Sequence, residues 1–171
     1  MRTAQKRPIT AIAPPADVSV PIAPDIGGTD TNAGATVFVW TAWVALTAIA
    51  FFYVVQFGRD VPFWDDHTVT PQLCGEQPVT VSWLWSQHSE HRFVLARLIL
   101  LSIFRLSDAD PRPVMLLLVA ILAGLSALLI RAMARARGRL TYSDAFLPLA
   151  ILTIGQHANL LWAIQITFVL P

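Results

Sequence analysis

Over its 171 residues the chain is 55% hydrophobic and only 13% charged, with a mean hydropathy of +0.57. Such a composition excludes an ordinary water-soluble core and places the sequence among all-α integral membrane proteins. The formal charge of +1, with basic residues at the N-terminus and beside apolar runs, gives no stripe for nucleic acid, and a single cysteine, Cys74, excludes an intrachain disulfide.

Residues 1–34 are rich in Pro, Ala, Thr and Asp, lack a hydrophobic period, and read as a disordered cytoplasmic tail carrying Arg2, Lys6 and Arg7. The remainder, 35–171, reads as a transmembrane domain. Its first span is predicted at 36–57, where an uncharged stretch from Thr36 to Phe57 would form a helix of roughly 33 Å. That length suits a hydrocarbon core of roughly 30 Å, and Trp40 and Trp43 stand in the first turns as interfacial anchors. Ala48-Ile49-Ala50 has the form of a signal cleavage site, but the polar leader is long and the apolar run continues to Val55, so an uncleaved anchor is expected.

A large external loop, 58–112, should follow. It opens with Phe63-Trp64-Asp65-Asp66-His67, two adjacent carboxylates a few residues beyond a span. Acids at that depth face water or a cavity, because isolated charge is costly in lipid. Either Asp65 or Asp66 could act as an acid or base, its proton affinity raised by burial or by its neighbour, and either could join an oxygen-rich Mg or Mn site. Adjacent side chains rarely point the same way, so one acts while the other binds metal, caps a helix or bonds to the backbone. Asp65, next to Trp64, is favoured for the active role.

Further along, His88 and His91 are spaced i, i+3 with Glu90 between them and Arg92 beyond. A zinc site is weighed for these histidines, but no established zinc spacing is matched. The apolar segment 93–106 is interrupted by Arg97 and Arg105 and would reach only about 21 Å as a helix, so it is predicted to lie in the interface. On that segment and just before it, Arg92 and Arg97 could hold a lipid headgroup phosphate or a lipid-linked phosphate, guanidinium forks being suited to phosphate oxygens.

The second span is predicted at 113–131. It ends in the basic set Arg131, Arg135, Arg137 and Arg139, which is expected on the cytoplasmic side and, with 93–106 in the interface, goes with a cytoplasmic N-terminus. Ala120 with Gly124, and Ala123 with Ala127, have the spacing that lets helices approach closely. A third span is predicted at 145–170, yet it contains Pro148, Gln156, His157, Asn159 and Gln165. Polar groups in hydrocarbon need partners, so Gln156, His157, Asn159 and Gln165 are expected to line a cavity or a helix interface on the same side as Asp65 and Asp66.

Taken in order, Trp64-Asp65-Asp66 after the first span, the turn Ser86-Gln87-His88-Ser89-Glu90-His91-Arg92 before an apolar helix, and a span ending in a basic loop, the sequence resembles the N-terminal part of the GT-C class of integral membrane glycosyltransferases. That class includes protein mannosyltransferases and aminoarabinose transferases. The resemblance implies sugar transfer from a polyprenyl-phosphate donor to an acceptor at the external membrane face, with Asp65 or Asp66 as catalytic base. It implies substrate or phosphate contacts from His88, Glu90, His91, Arg92 and Arg97. Because members of the class have many more spans, it also implies missing C-terminal spans or partner membrane proteins. A small non-enzymatic membrane protein acting as a subunit is the alternative expectation. In either case the expected setting is a plasma or inner membrane, among membrane lipids and without nucleic acid.

Overall fold

The structure, a computed structural model, describes residues 30–61, 63–87 and 92–169, and among these it is all-helical with no strand. Two long helices form an antiparallel hairpin: α1, Asp30–Phe57, and α5, Arg112–Arg137. At one end Val54 and Val55 of α1 meet Arg112, Pro113 and Leu116 of α5. Toward the other, the Trp43 indole donates to the Ala123 carbonyl and the Ser126 hydroxyl, both at 3.0 Å. Both helices are long and apolar enough to cross a membrane.

α1 begins at Asp30, so residues 30–34, expected to belong to the disordered tail, are helical; residues 1–29 lie outside the described set. The second helix also exceeds its expected bounds. Arg131-Ala132-Met133-Ala134-Arg135-Ala136-Arg137 consists of strong helix formers, and the helix stops only where Gly138 adopts the left-handed conformation, φ 71°. Arg137 then pairs with buried Asp144, which also accepts from the Thr141 amide at 2.8 Å and closes the turn.

Between the hairpin arms the chain makes a two-turn 3-10 helix, Trp64–Val69, then α2, Thr70–Leu73, α3, Val81–Trp85, and α4, Val94–Leu106. α4 matches the segment expected at 93–106 almost residue for residue. Ala96, Leu100, Leu101 and Phe104 lie buried on its inner face against Val114, Met115 and Val119 of α5 and Ala50 and Val54 of α1. Positions 96, 100 and 104, with 97 and 101, form one stripe at helical spacing, whereas Leu95, Leu98 and Leu106 face outward.

The stretch expected to be a third continuous span, 145–170, is not one. It is broken into α6, Phe146–Leu152, α7, His157–Leu160, and α8, Ile166–Val169, separated by 3-10 turns at Ile154–Gln156 and Ala163–Gln165. The first break has a local cause. Thr153 turns extended, its hydroxyl accepts from the Gly155 amide, and Gln156 Nε2 returns to the Ala150 carbonyl at 3.0 Å. Side chains thereby satisfy backbone groups that the interrupted helix leaves open. The broken stretch still runs the height of the hairpin, since Leu147 packs near Val39 and Ile130 while Phe168 meets Phe93, ring centroids 6.1 Å apart.

Candidate functional site

Where the first helix ends and the broken stretch returns, three aromatic residues meet. Phe63 and Trp64 stack at 5.8 Å and 15°, and Trp162 stands edge-on to both, at 6.3 and 6.2 Å. The Arg59 guanidinium sits 5.6 Å over the Phe63 ring. Together with Ala158 and Leu161 these side chains line a cleft of about 320 Å3.

Asp66 holds the cleft together. Its Oδ2 accepts from the Phe63 amide at 3.1 Å, closing the 3-10 turn, and its Oδ1 accepts from the Ile164 amide at 2.8 Å, across 98 residues of sequence. Beside that bond the Trp162 indole donates to the Phe63 carbonyl at 3.2 Å. The carboxyl is 1% exposed. Burial pushes its pKa up and outweighs the opposing pull of the two amides and of His67, while Asp65 adds to the rise. Trp64, between Phe63 and the acids, has φ 48°, a region that bulky side chains rarely adopt. The Asp66 clamp on either side of that residue keeps it there.

The two adjacent acids therefore diverge, as neighbours on a tight turn must. Asp65, next to Trp64 in sequence, is exposed, whereas Asp66 is buried with its two oxygens facing backbone amides. Among the described residues no group of three or more His, Cys, Asp or Glu comes together. His88, Glu90 and His91 lie outside the described residues.

The arginines separate in the same way. Arg92 is exposed, with its guanidinium 5.9 Å from the Trp85 ring centroid. Arg97, expected to bind phosphate, is 8% exposed and its geometry is that of a helix cap. Its Nη1 donates to the carbonyls that end α3, those of Trp83, Leu84 and Ser86, and the guanidinium lies 5.0 Å over the Trp83 ring. Burial lowers its pKa. Four carbonyls at a helix C-terminus lack intrahelical donors, and a buried cation among them is matched by the backbone, leaving it poorly placed for a ligand.

The broken stretch does reach the acidic turn, as its sequence suggested, but through other residues. Gln156 bonds to the Ala150 carbonyl, His157 and Asn159 are exposed, and Gln165 is half-buried; the cleft is lined instead by Ala158, Leu161 and Trp162 from the same turns. Arg59 and Trp162 were not among the sequence candidates. Arg59 is the first cation after a long uncharged run, and Trp162 stands among the polar residues of the third run, which are the signals that could have marked them. Compared with protein-family models, with curated proteins and with solved structures, the chain matches none.

Proposed function

We propose that the chain is the N-terminal part of an integral membrane glycosyltransferase, spanning with α1 and α5, and that the enzyme transfers a sugar from a polyprenyl-phosphate-linked donor to an acceptor hydroxyl at the external face. What supports this reading is an aromatic cleft that contains a cation, Arg59, and whose lining residue Trp64 is followed directly by the exposed carboxylate Asp65. Aromatic rings offer flat faces for the apolar side of a sugar or for a prenyl chain, and a guanidinium suits phosphate oxygens.

In the proposed reaction Asp65 takes the proton of the acceptor hydroxyl as its oxygen bonds to the anomeric carbon. The bond from that carbon to the phosphate oxygen breaks, and its electron pair leaves with the lipid phosphate, whose charge Arg59 offsets. Asp66 does no proton transfer in this scheme; it fixes Trp64 and Trp162 so that the cleft keeps its shape.

Membranes containing the protein, supplied with polyprenyl-phosphate sugars, test the assignment. Asp65→Asn should lower turnover by roughly 100-fold or more, the usual contribution of a positioned base, while leaving insertion intact. Wild-type turnover in Asp65→Asn refutes the mechanism. A non-catalytic subunit is the second reading, favoured by the open face of α5 at Ala120, Gly124 and Leu128. It predicts no transfer by the wild type and stable co-purification with a partner membrane protein.

A further inference from the structure

The end of the hairpin opposite the cleft is basic. Arg131 and Arg135 are exposed on α5 at i, i+4, so two like charges share one helix face. Among the described residues the ion pairs are Arg112 with Asp110 and Arg137 with Asp144, and neither Arg131 nor Arg135 takes part in one. The Arg131 guanidinium lies 5.9 Å over the Trp40 ring. Trp40 is itself held edge-on to Trp43 at 5.6 Å, and Trp43 is tied to α5 by its bonds to Ala123 and Ser126.

From Trp40 an apolar groove of about 430 Å3 runs along α1, lined by Thr36, Val37, Trp40, Thr41 and Val44. Val37 and Val44 are 67% and 56% exposed. Residues 37, 40, 41 and 44 form a single stripe at helical spacing, and Arg131 lies over Trp40 in the middle of it.

We propose that this end of the hairpin binds the headgroup of an anionic phospholipid, its phosphate between Arg131 and Arg135 and one acyl chain along the α1 stripe. The proposal rests on the membrane reading above. Charge complementarity selects the occupant: two neighbouring guanidinium groups outside any ion pair attract an anion, and a zwitterionic headgroup brings its own cation to them. The adjoining groove is apolar and faces outward from a helix able to span, which suits a lipid tail and not a soluble anion. Trp40 supplies the amphipathic ring that anchors such a site at the headgroup level.

Native mass spectrometry of the full chain in non-ionic detergent, with equal phosphatidylglycerol and phosphatidylcholine added, tests the site. An arginine near anionic lipid contributes about five-fold in affinity. The wild type should therefore retain phosphatidylglycerol over phosphatidylcholine by ten-fold or more, and Arg131→Gln/Arg135→Gln should bring the two lipids near parity. Arg105→Gln, an exposed arginine on α4, should keep the preference. Equal retention by the wild type, a preference intact in the double variant, or an equal loss in Arg105→Gln each overturns the site while leaving the membrane reading standing. A chain that stays dispersed without detergent overturns the membrane reading and this inference with it.

Discussion

Replacing Asp66 by alanine should be the most damaging single change near the cleft. The substitution removes the acceptor from the amides of Phe63 and Ile164, which lie 3.1 and 2.8 Å from its two oxygens. The Ile164 amide is buried, and leaving it without a partner costs about 1–3 kcal/mol; the Phe63 amide, on an exposed residue that water can reach, adds less, for about 1.5–4 kcal/mol in all. Asp66→Asn should fall between, since its Oδ1 still accepts from Ile164 while its Nδ2 faces the Phe63 amide, donor against donor; a loss of about 1–3 kcal/mol is expected. Thermal unfolding of the purified protein in detergent, followed by far-UV dichroism, orders wild type, Asn and Ala in that sequence. The pH dependence provides a second readout. Burial raises the Asp66 pKa in the folded state, so the fold binds this proton more tightly than the unfolded chain does. Stability from this group should therefore rise as pH falls through its raised folded pKa toward the ordinary carboxylate range, and the Asn variant should lack that slope. Asp110 and Asp144 have the opposite sign. Asp110 is held low first by its hydrogen bond from Arg112, and Asp144, despite the upward push of burial, by the Thr141 amide and by Arg137. Their contribution is present above the ordinary range and is lost as pH falls below it. Equal stability of wild type and Asp66→Ala within about 0.5 kcal/mol, the spread of an ordinary surface change, would refute the clamp.

Two more expectations concern packing. Arg97→Leu should destabilise the protein by about 2–4 kcal/mol by leaving carbonyls of α3 without a donor, and Arg97→Lys should rescue only part of it because an ammonium cannot reproduce the planar stack on Trp83. Full rescue by lysine in chemical denaturation would show that charge alone matters. Trp64→Gly should change stability by less than about 1 kcal/mol, since relief of the positive φ offsets the lost ring contacts. Because the ring is 71% exposed and lines the cleft, the same variant should weaken binding of a prenyl-phosphate probe, measured by equilibrium partition. Unchanged binding would remove Trp64 from the site.

How much of this was legible in the residues depends on the range of the interaction involved. Thr36 to Phe57 and Pro113 to Ile130 are uncharged over a length that permits little except a long apolar helix, so α1 and α5 follow from hydropathy alone. The extent of α4 follows similarly from an apolar run between polar turns. Helix ends are less legible, because Asp30 and the Ala-Arg repeat up to Arg137 are compatible with helix or coil until a capping glycine or a tertiary neighbour decides. The polar residues of the third run correctly marked it as unusual. Hydropathy, which averages over a window, could not show that Thr153 and Gln156 would interrupt the helix by bonding to their own backbone.

The helical class, the two long apolar helices, the basic end of the hairpin and the acidic pair just after α1 could be read from the residues, since each depends on neighbours close together along the chain. Tertiary structure alone decided which acid is buried. Asp65 and Asp66 are chemically alike and adjacent, and the difference between them is an amide at Ile164 that reaches only one of the two. The same holds for Arg97, whose charge suggested a phosphate until the end of α3 was brought against it, and for Trp162, which joins Phe63 and Trp64 only when the broken stretch returns along the hairpin. Burial and long-range hydrogen bonding assign these roles, and neither is a property of any local window of sequence.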